Sequence, residues 1–145
     1  MSGMFHGCSS LKKLDLSNFN TEKLVDMSSM FNGCTNLEEL AINNFNINIV
    51  TNMRHMFYGC SAIKKLDLSK FENKAICDIH KMFGGCRRLQ ELNLCKFSFE
   101  KVIDMKDIFE GCSSLKSLIL SKNNVMSFKE KIGSKFPSSA KISIH

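Results

Sequence analysis

An α/β solenoid of 26-residue units, with a parallel sheet on one face and short helices on the other, is the fold class this sequence predicts. Three observations predict it. Cys8, Cys34, Cys60, Cys86 and Cys112 recur at one constant step, with no insertion between them. Seven further columns keep that register, among them Phe5, Phe31, Phe57, Phe83 and Phe109 and the glycine before each cysteine. Within each unit, an alternating stretch is followed by one whose apolar residues fall at steps of three and four, the periods of strand and helix.

The elements follow in order. "LKKLDLS" turns Leu14 and Leu16 inward and Lys13, Asp15 and Ser17 outward, which is a short strand. Phe19, Phe45, Phe71 and Phe97 mark the turn after it. "LVDMSSMFNGC" places Leu24, Met27, Met30, Phe31 and Cys34 on one helical stripe. Asp26, Asn52, Asp78 and Asp104 suit its N-cap, and the glycine before each cysteine suits a stop with positive φ. A period of 26 with L-x-x-L-x-L spacing lies in the leucine-rich-repeat range. One coil cannot bury its apolar edge, so stacked neighbours must supply the core.

Residues 1–121 read as this array. Its first unit is incomplete at its N-terminus, because Met1 aligns with Met27, Met53 and Met105. That apolar edge is expected to be continued by upstream repeats or covered by a partner. Residues 122–145 read as a C-terminal cap. "SFKEKIG" offers Ser127 and Glu130 as a capping box and Gly133 as a stop, and Ile142 and Ile144 belong to a final strand pairing with the fifth.

Composition narrows the function. The chain is 43% hydrophobic with one proline, the balance of an ordered domain. No apolar run is long enough to span a membrane, and residues 1–20 lack the pattern of a signal peptide. Of the net charge of +6, +5 falls within residues 116–145, where six lysines meet Glu130 alone. A body this close to neutral does not read as a nucleic-acid binder. The terminal lysines discourage edge-to-edge pairing or attract an anionic partner. Down the outward columns the signs alternate, as in Lys13, Glu39, Lys65 and Glu91, so that opposite charges neighbour one another.

The cysteine row lacks metal-ligand spacing, and its parallel side chains do not face one another as disulfides require; it reads as core. Cys77 and Cys95 stand outside it, and Cys95, in the column of Ser17, Ser69 and Ser121, is the thiol expected to react most readily. Seven free thiols suit a reducing compartment. His6, His55, His80 and His145 share no column and read as solvated surface residues. No nucleophile–base set, paired carboxylates or phosphate loop occurs, so neither an enzyme nor a cofactor site is expected.

"MSSMFNGCTNLEELAINNFN" and "MRHMFYGCSAIKKLDLSKFE" resemble the units of BspA-like leucine-rich-repeat surface proteins, in the subgroup with M-x-x-M-F-x-G-C repeats. The resemblance covers residues 1–121. It departs where "FNT" at Phe19–Thr21 becomes "FNI", "FEN" and "FSF". It implies a cell-surface location, a protein-binding or adhesive role toward a host or extracellular partner, and no catalytic residues. The expected function is therefore a non-enzymatic interaction module whose concave strand face carries the contacts. The candidates are Lys13, Asp15, Glu39, Asn43, Lys65, Asp67, Glu91 and Asn93. The alternative is an intracellular structural or scaffold segment, which the free thiols favour.

Overall fold

A computed structural model describes residues 1–145. Five repeated units lie one upon another in parallel register and contribute the strands β1 (Lys13–Asp15), β2 (Glu39–Ala41), β3 (Lys65–Asp67), β4 (Glu91–Asn93) and β5 (Ser117–Leu120). Helix α1 (Lys122–Ile132), a single 3-10 turn (Gly133–Lys135) and strand β6 (Lys141–Ile144) complete the chain. All strand pairs are parallel and in register; Leu66 faces Leu92, which faces Leu118, which faces Ile142. The result is strand-rich, with two parallel sheets, β1–β2 and β3–β4–β5–β6, and one α-helix. A single cluster of 39 buried residues runs through all the units.

The helical half expected of each unit is not formed. Residues 27–34 make three overlapping β-turns, in which the amides of Met30, Asn32 and Cys34 donate to the carbonyls of Met27, Ser29 and Phe31. The intervening amides point to the next unit: Met27 donates to Asn52 O, Ser29 to Arg54 O, Phe31 to Met56 O and Gly33 to Tyr58 O. A helix would close these bonds on itself and leave nothing to join the units. Turns give half to the unit and half to its neighbour while still placing Met27, Met30, Phe31 and Cys34 in the core, where each is fully buried.

The backbone pays locally for this with a left-handed residue at Gly3, Ser29, His55, Lys81 and Asp107, φ between 50° and 62°. The supposed N-cap column keeps half its role. The side-chain oxygens of Asp26, Asn52, Asp78 and Asp104 accept from the amides two residues on, closing Asx turns, while their backbones form parallel bridges from unit to unit. The glycine stop is as expected, with φ of 71–75° at Gly7, Gly33, Gly59, Gly85 and Gly111.

The C-terminal segment also departs from its reading. Helix α1 begins five residues before Ser127, with Ser121 at the N-cap in extended backbone (φ −72°, ψ 154°) and no side-chain cap bond. Ser127 and Glu130 therefore lie inside the helix and make no capping box. Val125, Phe128 and Ile132, at steps of three and four, bury its inner stripe. The Phe128 ring meets Phe99 and Phe109 edge-on, at 5.2 and 6.4 Å between centroids, and so covers the last unit's core. Gly133, φ 56°, ends the helix as expected, and β6 pairs with β5 with Ile142 beside Leu118 and Ile144 beside Leu120.

Candidate interaction face

Strands β1 to β4 are only three residues long, so each turns one central leucine inward and two side chains outward. This places Lys13 and Asp15 on β1, Glu39 on β2, Lys65 and Asp67 on β3, and Glu91 and Asn93 on β4, at a fixed pitch on one face. All are exposed except Asn93, which is half-buried. Asn43 does not join them: it lies past the end of β2, in the turn, because Ala41 is the strand's last residue.

The charges are paired two by two. Lys13 Nζ lies 2.7 Å from Glu39 Oε1, and Lys65 Nζ lies 3.0 Å from Glu91 Oε2. The bond to Glu39 holds the Lys13 ammonium above its usual range, while hydrogen bonds from Ser17 hold Asp15 below the usual carboxylate range. Asp15 and Asp67 each accept from a backbone amide two residues on, Ser17 at 2.8 Å and Ser69 at 2.9 Å; Asn93 does the same for Cys95 at 3.1 Å. Two open depressions lie on the face. One of about 500 Å³ is lined by β1 and β2, and one of about 250 Å³ by β3, β4 and Ile119.

A two-unit rhythm, which the column-by-column reading missed, runs beside the face as well. Thr21 Oγ1 accepts from the Asn46 amide at 2.7 Å, and Asn73 Oδ1 accepts from the Ser98 amide at 2.7 Å, tying unit 1 to 2 and unit 3 to 4. Ile47 and Phe99, the same column in units 2 and 4, are buried in the core instead. The departures from "FNT" thus alternate between a polar tie and an apolar plug, a signal already present in the letters Thr21, Ile47, Asn73 and Phe99.

The cysteine row is a line of buried thiols. Cys34, Cys60, Cys86 and Cys112 donate from Sγ to the carbonyls of Phe5, Phe31, Phe57 and Phe83 in the preceding unit, at 3.0–3.2 Å. Burial pushes the Cys34 thiol up to about 11 and Cys112 up to about 12, with Cys60 and Cys86 also raised by burial. Cys95 is buried, 8% exposed, against the expectation of an accessible thiol. Its column goes from exposed at Ser17 and Asn43 through half-buried at Ser69 to buried at Cys95, near which Asn124 of α1 reaches back to Phe97 O at 2.7 Å. Cys8 is the exposed thiol. Brief alkylation of the native protein, read by peptide mass mapping, should therefore modify Cys8 well before Cys95 and the buried row, which become reactive on denaturation. Labelling of Cys95 at the rate of Cys8 would contradict this packing.

Two histidines correct their reading as solvated residues. His80 is mostly buried, with Nδ1 3.7 Å from Asp104 Oδ1, and its ring packs on His55 at 5.4 Å. Burial pushes the His55 imidazole below its ordinary value, with Arg54 and His80 acting in the same direction. No helix is long and apolar enough to cross a membrane.

No curated protein matches the chain. Residues 1–123 match the family described as "Mycoplasma protein of unknown function, DUF285", and it is to this family that the chain, with its stacked units and five-cysteine row, belongs.

Proposed function

We propose that the chain is a non-enzymatic protein-interaction module, built as a leucine-rich-repeat solenoid of the BspA-like kind, in a cell-surface or adhesive protein. Residues 1–121 are its array and residues 122–145 its cap. The observation that carries the reading is the row of outward side chains on parallel strands. Lys13, Asp15 and Glu39 on one parallel sheet, and Lys65, Asp67, Glu91 and Asn93 on the next, stand side by side with open depressions between them. Such a face suits an extended protein surface with spaced polar groups. Asn43 belongs to its rim.

A photo-crosslinking residue at Asp67 on the strand face, compared with one at Lys106 on the opposite side, tests this in cells that make the protein. The crosslinker at position 67 should trap one protein species in good yield, and adding Asp15→Lys to that same protein should weaken the trapping. Equal trapping from both sides, or none from Asp67, would overturn the reading. Antibody labelling of intact cells separates the surface role from the alternative of an intracellular scaffold, which the seven free thiols favour.

A further inference from the structure

The units are not joined equally on the strand side. Between units 1 and 2 the amides of Glu38 and Glu39 donate to Lys12 O, and Leu16 donates to Ala41 O. Between units 3 and 4 Gln90 and Glu91 donate to Lys64 O, and Leu68 donates to Asn93 O. The same three bonds between units 2 and 3, from Lys64, Lys65 and Ile42, are not made, and the sheet divides there.

The side-chain ties along the strands and the turns after them skip the same joint, and the tie that does cross it, from Ser61 Oγ to Thr35 O at 3.0 Å, lies before the strands, next to the turn segment. Ion pairs link Lys13 to Glu39 and Lys65 to Glu91, but none links Glu39 to Lys65. Asn44 bonds back to Ser17 and Phe19, and Lys96 pairs with Glu72. The polar bridges at Thr21 and Asn73 have apolar Ile47 between them. Ala41 takes the place of Asp15, Asp67 and Asn93, so the turn after β2 has no side-chain oxygen to close it. The Phe45 and Phe71 rings stay stacked across the joint, 6.5 Å between centroids, so apolar packing continues there where the hydrogen bonds do not.

That far side is unbroken. Asp26, Asn52 and Asp78 form consecutive parallel bridges, the amides of Met27, Ser29, Phe31 and Gly33 donate across the joint at 2.8–3.0 Å, and Cys60 Sγ reaches Phe31 O. A joint tied along one edge and free along the other can rotate about the tied edge.

We infer that the chain is hinged between β2 and β3, with units 1–2 swinging as one block against units 3–5 and the C-terminal segment. The swing opens and closes the strand face, and with it the spacing of any groups that the face presents. A depression of about 220 Å³ marks the mouth, with Glu38 and Glu39 on one lip, Lys64 and Arg88 on the other and Ala62 between. Attraction between the lips draws the joint shut and weakens with salt. The hinge is a property of the chain itself and stands whether or not the face binds a protein.

Residue-resolved amide hydrogen exchange on the native full chain tests it. The protection factors of Ile42, Lys64 and Lys65 should be at least ~100-fold lower than those of Leu68, Gln90 and Glu91, while Met27, Ser29, Phe31 and Gly33 stay as protected as the amides joining units 3 and 4. Two results would overturn the hinge. Equal protection of Ile42, Lys64 and Lys65 with their counterparts means a closed joint. Equally fast exchange at Met27 and Phe31 means that units 1–2 come away altogether, with no axis left to turn on.

Discussion

Phe57→Ala should lower the stability of the chain by about 4 kcal/mol, the range for removing a fully buried aromatic ring. Phe57 is 0% exposed, with Phe31 stacked on one face at 5.5 Å and Phe83 on the other at 5.8 Å. Truncation leaves a ring-sized void in the middle of a column, and neither neighbour can fill it without giving up its own stacking. Both are held in place by backbone bonds, Phe31 to Met56 O and Phe83 to Ile108 O. Against a total of roughly 5–15 kcal/mol for a domain, a loss of this size lowers the thermal midpoint by about 10 °C or more. Phe5→Ala is the internal comparison. Phe5 is half-buried with a stacked partner on one side only, at 5.7 Å from Phe31, and should cost about half as much. Equal losses, measured by chemical denaturation of the two variants, would show that stacking on both faces contributes nothing.

Gly85→Ala is the second large effect, about 2–3 kcal/mol, and it has two separable causes. The residue sits at φ +72°, where a side chain is strained. A Cβ there would also lie 3.3 Å from Gly59 N and 3.4 Å from Gly59 Cα, which are backbone atoms that cannot move without separating the units. Gly7 has the same conformation, φ +73°, with nothing within 4 Å of its would-be Cβ. Gly7→Ala should therefore show the conformational part alone, about 1 kcal/mol. The difference between the two variants measures how closely neighbouring backbones approach along the glycine column. Should both alanines cost the same, close approach is not what requires glycine there.

Register was the most legible property of this chain. A residue that must lie over its own copy in the next unit meets the same surroundings each time, so the same letter recurs, as at Phe31, Phe57 and Phe83 or Cys34, Cys60 and Cys86. The strands were readable for the same reason, since an inward leucine flanked by outward residues, as in Lys13–Asp15, Lys65–Asp67 and Glu91–Asn93, repeats with the two-residue period of a strand. The turn segment was not. Met27, Met30, Phe31 and Cys34 are spaced as on a helix, and overlapping β-turns bring the same four side chains to the core. What separates the two is where the backbone amides go, and side-chain letters are silent on that.

Ser29, His55, Lys81 and Asp107 gave no warning of positive φ, although Gly3 at the head of their column did. The capping box at Ser127 and Glu130 failed because the stripe Val125–Phe128–Ile132 begins earlier, and burial against Phe99 and Phe109 decided where the helix lies. On the candidate face, alternating charge along the column was visible as Lys13, Glu39, Lys65 and Glu91. Its grouping into two pairs was not, because Glu39 stands between Lys13 and Lys65 in the column and the letters do not say which of the two it meets.

The sulfur row gives the stack a polarity. Each buried thiol of the row donates a hydrogen bond to the carbonyl behind it, and alternate turn amides reach forward to the layer ahead, so a layer has a distinct front and back. Layers can join only nose to tail, and any layer offers its successor the same fittings that it took from its predecessor. Gene duplication could thus lengthen or shorten such a protein by whole layers without inventing a new joint, leaving evolution free to vary what each layer displays.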